Sequence, residues 1–565
     1  MEIVKYRSYE RVVYTAGICG TGKIGCKVQV FEEIQRENLA LPYFFDDKEF
    51  HAEDLHCLGP HIGNVFLKHA VMIDPEMRLR GAKPNEFDRD HFAQGFVGNC
   101  WLLSALAAVV SDTETMKTIF PDSNAEIGSD LHTGALKIRV CVEGTWEAGV
   151  VDTKVLRAGE DFVGCQPVLK AENLILWPLM IEKYLFKRYG LCLLDGGYMC
   201  EGFTLLTEGT TITLRTFESC PIKLLELMQH MFEHNGFVCA ATENAVEGSN
   251  STSQLTAGHA YSVLGVYFVE VQPTSEMRDN GFKEILIKLR DPWADREPKY
   301  PWSKKSDPLW KRVSDAEKQE IGYCELGNGQ FCIPYRHFFR LFEFLQLCNS
   351  SLPPATPGIY NRYDGLTSQV FMLNSLWEPE YSAGGDRRFE TYSTNPRLYF
   401  TVPKNENGST SCTWVRLIQQ GQRECSNNDP NYYQFCYGFD IFHVGSDNTI
   451  VNSNWLQNNN PVFSTIPDFL SQTSAMVELK PGYYLVIPYT ETPESKAYQF
   501  SLKVVVESDK CLSCTKLDEE YWEWIEDRVS MYEKSSKADE HKELGKSDQR
   551  RAHDELLRAR RKRWV

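Results

Sequence analysis

The stretch QGFVGNCWLLSALAAVV, residues 94–110, constrains this chain more than any other, because a glycine-rich turn hands over to an apolar helix and leaves Cys100 at the handover. A thiol there lies in the partial positive charge of a helix N-terminus. That charge favours the thiolate, the form that attacks a carbonyl once an imidazolium pairs with it. Free cysteine is among the most buried residue types, so taken alone Cys100 reads as a core residue. Two further segments change that. In AGHAYSVLGVYF a Gly-His pair opens a strand, so His259 can project from the strand end toward a cleft. In LRDPWADRE Asp291 ends a strand, and Pro292 stiffens the chain before Trp293. An acid at Asp291 can orient His259 through a ring N–H and stabilise the imidazolium, while Trp293 shields that bond from water. Gln94 can add its amide to the Cys100 backbone N–H as an oxyanion donor.

With 565 residues the chain exceeds one hydrophobic core, and three to four domains are expected. Residues 1–43 read as an N-terminal arm with an entry helix docking by Val30, Ile34 and Leu39. Residues 44–200 carry helical patterns near 100–111 and 174–189 and strand alternation in ALKIRVCVEGTWEAGVV. From 201 to 348 β-type runs dominate, including GFVCAAT, HAYSVLGVYFVEV and FKEILIKLR. SSLPPATPG at 350–358 marks a linker spanning 349–368. Residues 369–508, with RLYFTV, QFCYGFDIFHV, YYLVIPYT and YQFSLKVVV, read as an all-β sandwich, and 509–565 as a charged helical tail.

The net charge of −17 opposes nucleic acid as a partner over most of the surface. The start of the chain has no apolar signal region and no run of eighteen apolar residues occurs, so a soluble cytoplasmic protein with no transmembrane segment is expected. Eighteen scattered cysteines read as free thiols of a reducing compartment, and on that ground the glycosylation patterns at Asn250, Asn349 and Asn407 are discounted.

Three other patterns fail on chemistry. AGICGTGKIG resembles a phosphate loop, but Ile24 stands where a hydroxyl would hold magnesium. His51, His56, Cys57 and His61 fit no standard zinc spacing, and the lone pair Cys511 and Cys514 lacks a second pair. The basic end, Arg550, Arg551, Arg558, Arg560, Arg561, Lys562 and Arg563, reads as a solvated tail.

The ordered set Q-G-x-x-G-x-C-W, G-H-A-Y-S-V and x-P-W resembles the protease core of the calpain family. The resemblance extends through FDDKEF (45–50), KPNEF (83–87), LWPLMIEKYLFKRYG and DGGYMCEGFTLLTEG (176–209) to LWEPEYSAGGDRRF, TNPRLYF and KPGYYLVIPYT. It implies an α+β fold: a two-subdomain papain-like cysteine protease core, 44–200 and 201–348, followed by an antiparallel β-sandwich of the calpain domain III type. It also implies a cysteine endopeptidase performing limited proteolysis, with Cys100, His259 and Asp291 as triad, Gln94 as oxyanion donor and Trp293 as shield. The alternative is a catalytically silent calpain-fold scaffold. Protein substrates are the implied partners, with phospholipid or protein contact through the sandwich, and no organic cofactor.

The sequence departs from the family at several positions. Asp291 stands where the family usually has Asn, which adds charge beside His259. Calpain cores close on calcium at two loop sites, and calcium needs several oxygen ligands. At the first site His91 stands where an acid is expected, with Asp90 displaced by one, and Ile175 replaces a second acid. At the second, Glu297 is kept, but Lys304 and Asn328 replace acids. Weak or absent core calcium binding follows, with Glu297 the one candidate ligand. No EF-hand loop pattern occurs in the sequence, and Gly-Asn-Cys-Trp resembles the atypical subgroup of the family.

Overall fold

The apolar run CWLLSALAAV forms helix α1 (Cys100–Val109), and every residue from Trp101 to Val109 is buried, as a helix apolar on all sides requires. This computed structural model describes residues 11–12 and 31–507, except 40–44, 51–64, 82–85, 123, 128–131, 169–172, 190–193, 217–218, 243–254, 274–280, 295–297, 350–358, 362–366, 405–409, 420–434, 448, 468–471 and 495. Ile24, the histidine group at 51–61, Glu297, Cys511, Cys514 and the charged tail lie outside the described residues.

Strands β1 (Ala135–Val142) and β2 (Thr145–Asp152) pair as a hairpin. Its two-residue turn has positive φ at both Glu143 (49°) and Gly144 (84°), the handedness that matches strand twist. Helix α2 (Trp177–Tyr189) runs against this layer and is buried at all thirteen positions, charges included. Its cations are neutralised one by one: Lys183 by Asp152, Lys187 by Asp47 at 2.8 Å and Arg188 by Glu147 at 3.1 Å. Asp47 comes from the FDDKEF segment, so that motif does electrostatic work in the core.

Helix α3 (Met199–Thr207) leads to β3 (Thr210–Arg215), and α4 (Pro221–Glu233) leads to β4 (Phe237–Thr242). The strands β5 (His259–Val271), β6 (Phe282–Arg290), β7 (Gln330–Pro334) and β8 (Phe344–Asn349) complete a six-stranded sheet in the order β7-β6-β5-β4-β8-β3. The β-type runs expected here are present. Helix α4 interrupts them, because the helical apolar spacing of IKLLELMQHM is hidden between two strand-like runs: Leu224, Leu225, Leu227, Met228 and Met231 make its buried face. In the antiparallel pair β5–β6, Ser262 lies opposite Arg290, so His259 and Asp291 come to the same sheet end through backbone register.

Beyond the sheet, β9 (Ile359–Asn361), β10 (Thr367–Trp377), β11 (Leu398–Val402), β12 (Ser411–Gln419), β13 (Tyr437–His443), β14 (Phe463–Ser464), β15 (Gln472–Leu479), β16 (Gly482–Thr490) and β17 (Tyr498–Glu507) follow. They form a five-stranded sheet, β9-β10-β17-β12-β15, and a four-stranded sheet, β11-β16-β13-β14. Trp377, Val415, Leu417, Phe500 and Leu502 of the first share one core with Phe400, Phe439, Ile441 and Val486 of the second. This unit docks on the preceding half of the chain through buried polar groups. Arg416 Nη1 donates to the carbonyls of Glu208 (2.9 Å) and Gly209 (2.8 Å), and Lys503 Nζ lies 3.3 Å from Glu208 Oε1.

The entry helix spans Phe31–Asn38 and docks by Phe31, buried, with Ile34 partly buried beside it. Leu39 is not part of that face: it lies beyond the last helical turn and is 47% exposed. Residues 31 and 34 are one turn apart and share a face, which position 39 has left.

At Gly149 on β2, a Cβ would overlap the ring of buried Tyr184 from α2. Gly149→Ala should therefore cost about 1–3 kcal/mol by overpacking, read as a lowered thermal or urea midpoint. A midpoint equal to wild type would show that α2 yields freely.

Candidate active site

Cys100 is the first residue of α1, half-buried, with its helix directed back into the core. One turn on, Ser104 exchanges two bonds with the strand that carries His259: Ser104 Oγ donates to Ala260 O (2.9 Å) and Ser262 Oγ to Ser104 O (2.8 Å). Residues four apart share a helix face, so this exchange sets the Cys100 end of α1 beside the start of β5. The His259 ring is hydrogen-bonded to the Cys100 thiol and, through Nε2, to Asp291 Oδ1 at 2.9 Å. His259 and Asp291 are each 4% exposed. Asp291 Oδ1 also accepts the Trp293 backbone N–H at 2.9 Å. The Trp293 ring lies tilted over the imidazole with centroids 4.8 Å apart, and Tyr261 meets the ring edge-on at 5.0 Å.

The electrostatics follow from these neighbours. Burial works against the His259 charge, but the hydrogen bonds and charges of Asp291 and Cys100 outweigh it and raise the imidazole to about 9. The ring is thus held as imidazolium at neutral pH.

Gln94 is buried just before the 95–100 turn, and its backbone N–H donates to Pro292 O at 2.8 Å, tying that turn to the Asp291 segment. Its side-chain Nε2 donates to Val97 O at 2.8 Å, which commits one N–H and leaves the second. A neighbouring cation makes a second tie between the same segments. Arg290, fully buried at the end of β6, donates Nη2 to Arg89 O (2.6 Å) and Phe92 O and lies over the Phe92 ring at 4.8 Å.

The positions weighed as calcium ligands do other work. His91 Nδ1 accepts the Trp177 indole N–H at 3.1 Å, and burial lowers its pKa, so the ring is neutral. Ile175 is a buried core residue. Asp90 accepts from Gln330 Nε2 at 2.9 Å, and burial raises its pKa. Lys304 is exposed, and Asn328 sits in a turn with φ 52°. An imidazole occupied by an indole and an aliphatic chain do not make an oxygen cage, so the residues described at the first site do not fit calcium.

Sequence reasoning missed four contributors. Asn99 and Glu182 lie beneath the turn that carries Cys100, and Asn99 Nδ2 donates to Glu182 Oε1 at 2.5 Å. Ser104 and Arg290 tie the two halves. Glu182 alone left a signal, as an acid directly after the apolar run LWPLMI at the start of α2.

The chain matches two known family descriptions. The description "Calpain family cysteine protease" matches residues 45–349, and "Calpain large subunit, domain III" matches 373–505. The chain belongs to the calpain family. It is 25% identical over 490 residues to calpain-9 of Homo sapiens, covering 85% of this chain and 67% of that protein. It is 25% identical over 500 residues to calpain-A of Drosophila melanogaster, covering 85% and 58%, and 25% identical over 508 to the calpain-2 catalytic subunit of Homo sapiens, covering 85% and 68%. The chain thus spans between a little over half and about two thirds of these relatives' lengths.

The His259 shift predicts an alkaline limit. Folding raises the imidazole from its ordinary value near ~6.5 to about 9, so the imidazolium persists below that pH and is lost as pH rises through it. Asp291→Asn removes a raising charge and should move the alkaline limb of the His259 titration, read from the pH dependence of Cys100 alkylation, down by about one unit or more. An unmoved limb would refute the electrostatic role.

Proposed function

We propose that this chain is a calpain-like cysteine endopeptidase performing limited proteolysis, with Cys100 as nucleophile, His259 as base and acid, and Asp291 orienting His259. The observation that carries the reading is the continuous contact from the Cys100 thiol through the His259 ring to Asp291, at a helix N-terminus and under Trp293. Nε2 is engaged by Asp291, which leaves Nδ1 for the thiol and fixes the ring orientation.

In this mechanism the Cys100 thiolate attacks the scissile carbonyl carbon. The oxyanion takes the Cys100 backbone N–H and the uncommitted Gln94 amide N–H. His259 gives its proton to the leaving amine as the C–N bond breaks, producing a thioester. It then deprotonates water, which attacks the thioester and regenerates the thiol. Trp293 keeps bulk water from the His259–Asp291 bond throughout.

The halves are tied by Gln94 N–H to Pro292 O, by Arg290 to the 89–92 turn and by the Ser104 exchange. With His91 and Ile175 unfit for calcium, the proposal includes cleavage with weak or absent core calcium control. Buried thiols such as Cys165 and Cys239 suit a reducing compartment, and the cytoplasm is the proposed location. Among the described residues no helix is long and apolar enough to cross a membrane.

Casein cleavage with a calcium chelator or with added calcium tests this reading. Wild type should cleave in both conditions at rates within a few-fold, and Cys100→Ser in neither. Asp291→Asn should keep activity at neutral pH, and Asp291→Ala should lose most of it. Absence of Cys100-dependent cleavage under every condition would sink the peptidase reading in favour of a silent scaffold.

A further inference from the structure

Beneath the nucleophile turn three layers are stacked more closely than side chains allow. A Cβ on Gly95 would overlap Gly164 O, and a Cβ on Gly164 would overlap Glu182 Oε2. Both glycines are therefore required for the carboxylate of α2 to reach the underside of the turn. Once there, Glu182 is 4% exposed and makes two bonds. Oε1 accepts Asn99 Nδ2 at 2.5 Å, and Oε2 accepts the Cys165 backbone N–H at 2.6 Å. Asn99 immediately precedes Cys100 and is fully buried. The 163–166 segment holds the other side of the turn, since Val163 O accepts Phe96 N–H (2.9 Å) and Gln166 Nε2 donates to Gln94 O (3.1 Å). Glu182 thus grips the nucleophile turn both directly and through the segment that supports Gln94.

We propose that Glu182 is a positioning residue for the Cys100 nucleophile, clamping the 94–100 turn through Asn99 and the Cys165 backbone. This rests on the cysteine-peptidase reading for its meaning, but its geometry concerns the thiol itself. The ionised carboxylate has an acceptor oxygen for each donor. A proton on either oxygen turns that oxygen into a donor facing an N–H, and one grip is lost. Burial raises this carboxyl to about 7, so the clamp opens and closes near neutrality.

Other titratable groups at this place are few among the described residues. The Cys165 thiol faces Glu182 from the supporting segment and is pushed up by burial. Arg290 acts on that same thiol from β6, Cys100 lies beyond Asn99 on α1, and Lys183 on α2 is committed to Asp152.

The test is the rate of Cys100 alkylation by iodoacetamide between pH 6 and 8.5, read by mass spectrometry of the Cys100 peptide in the whole protein. Wild type should show a rate step of about three- to tenfold with a midpoint near 7, faster on the alkaline side. In Glu182→Gln the step should vanish: the amide oxygen accepts Cys165 N–H, and its NH₂ can donate to Asn99 Oδ1, which is buried without a partner, after the Asn99 amide turns over. That variant should sit about threefold below wild type at pH 8, since neutral bonds replace charge-assisted ones. Glu182→Ala should fall about thirtyfold at all pH values. Asn99→Ala, which spares the carboxyl, should also lose the step.

Stability should move oppositely. Folding raises the carboxyl from about 4.3 to about 7, so its relative contribution is fully present below ~4.3 and lost as pH rises through 7. Glu182→Gln should therefore gain in Tm over wild type across that interval while its thiol reacts more slowly, a combination that a purely structural role does not produce. A step near 7 persisting in both Glu182→Gln and Asn99→Ala, or Glu182→Ala reacting like wild type, would overturn the proposal. Loss of protein cleavage with the alkylation step intact would instead strike the peptidase reading alone.

Discussion

The exchange between Ser104 and strand β5 is the joint on which the site depends. Ser104 gives a hydroxyl to Ala260 O and receives one from Ser262, so a helix of one half and a strand of the other are tied by both partners' side chains. Ser104 is the one hydroxyl on an otherwise apolar helix, and burying it is tolerable because both its polar atoms find partners. Cys100 lies a turn above it and His259 one residue before Ala260. A shift of α1 along the sheet would break both bonds before it separated thiol from imidazole. Position at the chemistry is thus enforced by bonds one helical turn away from it.

The buried charges divide into two kinds around this joint. Lys183, Lys187 and Arg188 are each set against a carboxylate, so removing one partner would strand a charge in the core. Arg290 and Glu182 are met instead by backbone carbonyls, an N–H group and an amide, and Arg290 Nε and Nη1 are buried without a partner. Dipoles stabilise a buried charge less completely than a counter-ion does, and both groups show it: burial lowers Arg290 to about 10 and raises Glu182 to about 7. Only the second value falls where physiological pH can act on it.

How much of this was legible in the sequence follows from where each residue sits. Cys100, His259 and Asp291 stand at punctuation points, a helix start and two strand ends, and local patterns mark such points. Their assembly at one sheet end was readable only through the family resemblance, because the β5–β6 register is a long-range property. The basic residues of α2 show the opposite case. KYLFKRY looks like a helix with a wet face, yet all of it is buried, since Asp47 and Asp152 arrive from distant segments to neutralise it. Helix α4 was hidden between strand-like runs, and Leu39 was credited with docking that Phe31 performs. Glu182 shows in the sequence only as an acid after an apolar run; its role was hidden for the same reason as that of Asp47, because its partner Asn99 lies 83 positions away.

An aspartate at position 291 raises a problem that the geometry partly answers. A full carboxylate against the imidazole strengthens the resting ion pair and, in the proposed reaction, makes His259 slower to surrender its proton to the leaving amine. Asp291 Oδ1, however, does not serve His259 alone. It divides its charge between His259 Nε2 and the Trp293 backbone N–H, each at 2.9 Å. A donor that stays in place when the proton leaves keeps the carboxylate solvated, so the imidazolium is not its sole source of stabilisation. Burial of the ring adds a pull in the same direction, since it disfavours the charged form throughout. The imidazole value of about 9 is the balance of burial, which lowers it, against the hydrogen bonds and charges of Asp291 and Cys100, which raise it, and the Trp293 N–H is a fixed second donor to the same carboxylate oxygen.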